Sequence, residues 1–233
     1  MNLYKHFCRI ILFLIVVLQT SFALAAEGSP AGANPDDVDF RWAFAAMTVS
    51  EGKTTVQPVT QDITLKSGDQ LKMMVELEKR CFVYVFHYNP QEGLKLLFPY
   101  SLQQFESDYE AHRKYTIPRG EIWFKLDRNT GREVFYLLAS AKRLDELEKA
   151  FLRYESAEPA SKTLSAQAVL DQIRSLRREH RELTSPAERP VLIGGAVRGV
   201  APVEDPNLFD VATMADEILS SGFVARTYAV EHQ

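Results

Sequence analysis

Histidine, cysteine and paired acids carry most chemistry near neutral pH, and this chain spaces them sparsely. His87 stands in the apolar run Cys81–Tyr88. A metal or catalytic role requires a partner at usable spacing, such as a second His four residues on or a paired Cys, and none is present. The expected reading is a packed histidine, hydrogen-bonded to backbone. His112, His180 and His232 are equally isolated, and His180 falls on the apolar stripe of a long helical pattern. Cys81 has no neighbouring base and lies among apolar residues, so a buried, inert thiol is expected. Asp127, Asn129, Gly131 and Glu133 alternate as the first oxygen ligands of a calcium loop do. The later bidentate acid and the sixth-position glycine are missing, and a hairpin turn accounts for the same residues.

Ser140 follows an apolar strand pattern and precedes a helical one, but no glycine-flanked elbow surrounds it. A helix N-cap is the expected role. Gly194, Gly195 and Gly199 lack the Lys-Ser or Lys-Thr of a phosphate loop and read as a bulge in a strand. Arg174, Arg177, Arg178 and Arg181 interleave with Asp171, Glu179 and Glu182 as a solvated helix face. No catalytic residue, metal site or cofactor is therefore expected. One cluster stands apart. Phe98, Tyr100, Phe105, Tyr109 and Tyr115 crowd a stretch rich in Gln, Ser, Asp and Glu. Aromatic rings among polar neighbours suit a peptide or glycan groove, with Tyr100, Phe105 and Tyr109 as ligand-binding residues. Rings that pin a long loop to a core would look the same.

The elements that carry these residues are mostly short strands. Phe40, Trp42 and Phe44 alternate with Arg41 and Ala43, and Leu71, Met73, Val75 and Leu77 do likewise. Cys81–Tyr88 is apolar on both faces and reads as the central strand. Leu94–Phe98 returns as its hairpin partner. Ser101–His112 has no clear period and reads as a loop or a short helical piece. Lys114–Ile117, Glu121–Leu126 and Glu133–Ala139 complete the series, with turns such as Lys66-Ser67-Gly68-Asp69 between strands. The period then becomes helical at Leu144, Leu147, Phe151 and Tyr154, and again over roughly 165–183. Residues 190–198 read as a strand, Leu208–Ser221 as a short helix and Phe223–Val230 as a last strand. The expected fold is mainly β: an antiparallel β-sandwich with two or three added helices, α+β overall.

The first 25 residues place this domain. Lys5 and Arg9 precede the unbroken apolar run Ile10–Leu18, and Ala23-Leu24-Ala25 offers small residues to a signal peptidase. The run is too short for a membrane span and reads as a secretory leader. Residues 26–39 read as a flexible lead-in, and 40–233 as one β-rich domain with its core in 40–155 and a helix and strand extension in 163–230. Cys8 leaves with the leader, so the mature chain keeps Cys81 alone and forms no internal disulfide. Loss of Lys5 and Arg9 makes a chain of net charge −4 more acidic still. That disfavours nucleic acid or anionic lipid as a partner. Hydrophobic residues make up 46%, which excludes wholesale disorder. No membrane anchor is expected after cleavage.

In order, Trp42-Ala43-Phe44, Leu65–Asp69, Cys81–Val85, Leu97-Phe98-Pro99, Tyr115–Pro118, Trp123-Phe124 and Leu138-Ala139-Ser140 resemble the bacterial exported family called domain of unknown function 4384. The resemblance covers about residues 40–150. Ala187–Pro190, Gly194-Gly195 and Arg226-Thr227-Tyr228 are similar to longer members. Similar domains occur attached to caspase-type peptidases and protein kinases, which implies an accessory or sensing role. The expected function is an exported, non-catalytic binding or interaction module, periplasmic or secreted, whose partner is an envelope protein, peptide or glycan. A cell-envelope hydrolase and a structural envelope component are the alternatives, and a cluster of His87 with acids in an open cleft would favour the hydrolase. Mass spectrometry of the protein recovered from cells is expected to find the N-terminus within a residue or two of Ala26. Intact Met1 in the membrane fraction would contradict the leader.

Overall fold

The computed structural model describes residues 36–183, 201–202 and 209–233. The leader and the strand expected over 190–198 lie outside the described residues, as do Gly194, Gly195 and Gly199. Two sheets form the body. The first has the order β10-β2-β1-β4-β7, from Ala201–Pro202 (β10), Lys53–Pro58 (β2), Asp37–Ser50 (β1), Gln70–Leu77 (β4) and Lys114–Ile117 (β7). Asp216–Ser221 (β11) also pairs with β1, and Phe124–Lys125 (β8) with β4. The second sheet has the order β3-β12-β9-β5-β6, from Ile63–Leu65 (β3), Phe223–His232 (β12), Gly131–Ser140 (β9), Phe82–Asn89 (β5) and Gly93–Phe98 (β6). Among the described residues all pairs are antiparallel except β3 with β12.

Period-two alternation sets which side chains meet between the sheets. Phe40, Trp42 and Phe44 of β1 and Met73, Val75 and Leu77 of β4 are buried in the same core as Val83, Val85, Leu137 and Val230 of the second sheet. Phe44 meets Phe135 edge to face at 5.0 Å, and the Trp42 indole N–H donates to the Tyr228 hydroxyl at 3.0 Å. The middle of β1 is buried on its other face too, where Ala43, Ala45 and Met47 join Val56, Met74 and Val211 in a second small core. That explains the apolar run Ala43–Met47.

The opposite face of the second sheet is covered by two helices, Asp145–Glu155 (α2) and Pro159–Leu183 (α3). Phe86 packs on Phe151 at 5.5 Å, and the Tyr84 hydroxyl donates to Glu148, which Arg143 also engages. The third helix among the described residues, Gln104–Ser107 (α1), is a single turn. The fold is thus an α+β sandwich. No helix among the described residues is long and apolar enough to cross a membrane.

Several local expectations are corrected. Over the described part of Leu208–Ser221, from 209 on, the expected helix is absent: Val211–Met214 is one 3₁₀ turn, and Asp216–Ser221 runs as a strand along the Asp37–Trp42 half of β1. The edge of β1 beyond the reach of β2 needs backbone partners, and β11 supplies them. Ser140 ends β9 and caps no helix. α2 begins after Leu144 without a side-chain cap, and the Ser140 hydroxyl instead accepts from the Lys142 amide at 3.3 Å. α3 starts at Pro159 rather than near Ser165, since proline fits a first helical turn. Of Glu121–Leu126, only Phe124–Lys125 pairs as strand. Cys81 is fully buried, and that burial pushes its thiol up to about 12, so the reactive thiolate is disfavoured.

Candidate functional site

The aromatic stretch between β6 and β7 points inward. Phe105 is buried and meets Phe82, Tyr84 and Tyr109 edge to face at 5.2, 5.1 and 4.8 Å. Tyr109 has a backbone task. β6 pairs with β5 only from Val85 onward, so the start of β5 lacks a neighbour on that side. The Tyr109 hydroxyl fills the gap, accepting from the Val83 amide at 3.0 Å and donating to the Cys81 carbonyl at 2.8 Å. Tyr100 is half-buried. Its hydroxyl donates to the Thr116 carbonyl at 2.6 Å and its ring carries the Arg119 guanidinium at 3.9 Å. Phe105 and Tyr109 thus fill the core beneath the loop rather than line a solvent-facing groove, while Tyr100 packs at its border. Full burial of large apolar surface outweighs the polar neighbours in sequence.

Polar side chains converge instead at one end of the sandwich. Glu133 sits at an inward position of β9, in phase with Phe135 and Leu137, and is only 6% exposed. A carboxylate taken out of water must be met by donors. Asn89 donates its amide to one Glu133 oxygen at 2.6 Å, and the His87 ring nitrogen Nε2 bonds the other. Both donors come from β5, the neighbour of β9. Asn89 in turn accepts from the Gln91 and Glu92 amides at 2.7 and 3.3 Å, which ties this network to the β5–β6 turn. Burial pushes the Glu133 carboxyl up. The hydrogen bonds from His87 and Asn89, with the attraction of the His87 and His232 rings, outweigh it and hold the carboxyl below its usual range.

These groups line a cavity of about 300 Å³ between the two sheets. Leu71 and Phe124 wall it from the first sheet, Leu97 and Phe135 from the second. His232, at the end of β12, also borders it. Its Nε2 pairs with the Ser67 hydroxyl at 3.1 Å, while Nδ1 is buried without a partner among the described residues. The turn that carries Ser67 holds the mouth in shape. Lys66 donates from its amide to the Asp69 carboxylate at 2.8 Å, Gly68 adopts a φ of +99° that glycine takes without strain, and its amide donates to the Leu126 carbonyl at 2.8 Å.

His87 was expected to bond backbone. It bonds a carboxylate instead, because the period-two pattern that turns His87 inward also turns Glu133 inward on the adjoining strand. Asp127 and Asn129 form a turn, the Asp127 oxygens accepting from the Asn129 amide and side chain at 2.6 and 2.9 Å. Among the described residues no group of His, Cys, Asp and Glu is arranged to hold a metal ion. The signal that reasoning from sequence missed is a polar residue at an inward position in each of two strands, Val83-Val85-His87 and Glu133-Phe135-Leu137.

Folding holds the Glu133 carboxyl below its unfolded value. Its contribution to stability is therefore whole above about pH 4.3, the ordinary glutamate value, and is lost as the pH falls through the folded value. Glu133→Gln is expected to lower stability at pH 7 by about 1–3 kcal/mol, the range for hydrogen bonds to a charged group. The difference in melting temperature from wild type should shrink as the pH drops below about 4.3. A gap that stays constant down to the acid limit would contradict the ionised, paired carboxylate.

No curated protein and no solved structure matches the chain. One family model does match, the one described as Domain of unknown function (DUF4384), over residues 64–143, the stretch that carries Ser67, His87, Asn89 and Glu133.

Proposed function

We propose that the chain is an exported, non-catalytic binding module that takes a small envelope ligand into the cavity at the end of the sandwich. The observation that carries this reading is the cavity itself. Apolar walls from both sheets flank the fixed pair His87–Glu133, and Glu92, Lys95, Lys125, Asp127 and His232 complete the lining. Small-molecule sites are built in that way, with apolar lining for affinity and a few set polar groups for orientation. The leader pattern of residues 1–25 supports export.

A second reading, a hydrolase, is favoured by one specific observation: His87 meets an acid in an open cleft, the arrangement that orients a general base. The binding reading is the better supported. Among the described residues no hydroxyl or thiol bonds His87, and the Ser67 hydroxyl pairs with His232, whose Nδ1 has no partner there to orient it as a base. A nucleophile and an oriented base in mutual contact are what acyl or glycosyl transfer needs.

The test is recovery of the natural ligand. The protein is purified after exposure to the small-molecule fraction of the cell envelope and then denatured, and the released compounds are identified by mass spectrometry. A released compound is expected from wild type, and its yield should fall at least tenfold in Leu97→Trp, which fills the cavity. Equal recovery from that variant would contradict the site. Turnover of an envelope polymer by wild type, abolished in His87→Ala, would establish the hydrolase instead.

A further inference from the structure

The free nitrogen of His87 narrows what the cavity accepts, if the cavity binds a ligand as proposed above. Nε2 is the ring nitrogen that meets Glu133. An ionised carboxylate only accepts, so Nε2 carries a hydrogen, and in the neutral ring Nδ1 keeps a bare lone pair. Among the described residues Nδ1 has no hydrogen-bond partner, yet it is not one of the buried polar atoms left unpaired. It is therefore accessible, and the ring that carries it lines the cavity. The His87 side chain is 13% exposed, and Phe135 lies against the ring with centroids 4.8 Å apart, which fixes its plane. A fixed acceptor in an apolar wall selects a ligand that brings a donor, because a ligand without one leaves the acceptor desolvated and unpaired.

An ammonium and a neutral hydroxyl compound both bring a donor. Desolvation decides between them. Glu133 is already met by two donors. Glu92 is paired with Lys95, and both Asp127 oxygens are taken by Asn129. Lys125, which also lines the cavity, has no partner among the described residues. The carboxylates keep their charge, but each already has a donor, so an ammonium entering the recess would be stripped of water with only a neutral ring nitrogen free to meet it, a cost that a hydroxyl does not carry. We infer that the ligand is a small neutral molecule whose apolar body rests on Leu71, Leu97, Phe124 and Phe135 and whose hydroxyl donates to Nδ1 of His87. A cavity of about 300 Å³ is at the small end for ligand pockets and suits a body of one or two rings.

Phenol and anisole make the test, since they share a ring and differ in the hydroxyl hydrogen. Each is titrated into the wild-type protein as recovered from cells, and the resonances of the His87 ring, Leu97, Phe124 and Phe135 are followed by NMR. Phenol is expected to shift all four and to bind at least tenfold more tightly than anisole, a difference of about 1.4 kcal/mol. Equal affinity of the two at these residues would overturn the hydroxyl inference and leave the cavity as the binding site. Benzylamine binding more tightly than phenol would overturn it in favour of a cation. No shift with any of the three would overturn the cavity reading along with the inference.

Discussion

A carboxylate between two packed sheets is tolerated only where donors meet it, and Glu133 imposes that condition on three strands at once. β9 lies between β5 and β12, so whatever satisfies an inward acid on β9 has to come from those neighbours or from across the core. β5 supplies His87 and Asn89. Asn89 also closes the turn to β6, so the registers of β5, β6 and β9 are locked to one polar contact. A slip of one residue in β9 would turn Glu133 out, bring Val134 in and leave His87 and Asn89 without their acceptor. The pair is therefore weak support for stability as such but strong specification of register.

The same contact shapes the cavity. Apolar packing closes the middle of the sandwich, where Phe44, Phe135, Trp42 and Tyr228 interlock. Toward the Glu133 end the first sheet contributes only the two-residue β8 beside β4, so the sheets are held apart by short, tied segments rather than by large side chains. Ser67, Gly68 and Asp69 bind Leu126 and the C-terminal Gln233 through backbone hydrogen bonds of 2.8–3.1 Å and keep this rim in place. The result is a recess with apolar and charged lining and an oriented imidazole in its wall. Elsewhere open strand edges are met by tyrosine hydroxyls: Tyr100 at Thr116, Tyr154 at Leu94 and Tyr109 at Val83. Such caps leave fewer free backbone groups for pairing with another chain.

Much of the sandwich was legible because its signals are local. Alternation in Phe40–Phe44 and Leu71–Leu77, and the helical spacing of Leu144, Leu147, Phe151 and Tyr154, report one-sided burial directly. β11 was not legible, because Asp216–Ser221 is a strand only by virtue of the open edge of β1 nearly 180 residues earlier. Composition misjudged Phe105 and Tyr109, since a ring among polar neighbours is compatible with either a surface or a core, and only the missing partner at the start of β5 distinguishes them. The site was least visible. His87 and Glu133 are 46 residues apart, and each alone has an ordinary explanation, a packed histidine and a turn-flanking acid. Register alone joins them.

The tautomer of His87 tests this account most directly. Nitrogen-15 NMR of the protein, at a pH where the His87 ring is neutral, reads which ring nitrogen carries the hydrogen. The expected result is a hydrogen on Nε2, held by Glu133, and a bare Nδ1. A hydrogen on Nδ1 with a bare Nε2 would mean that Glu133 is not the ionised partner, and it would remove both the register lock and the acceptor on which the ligand reading stands.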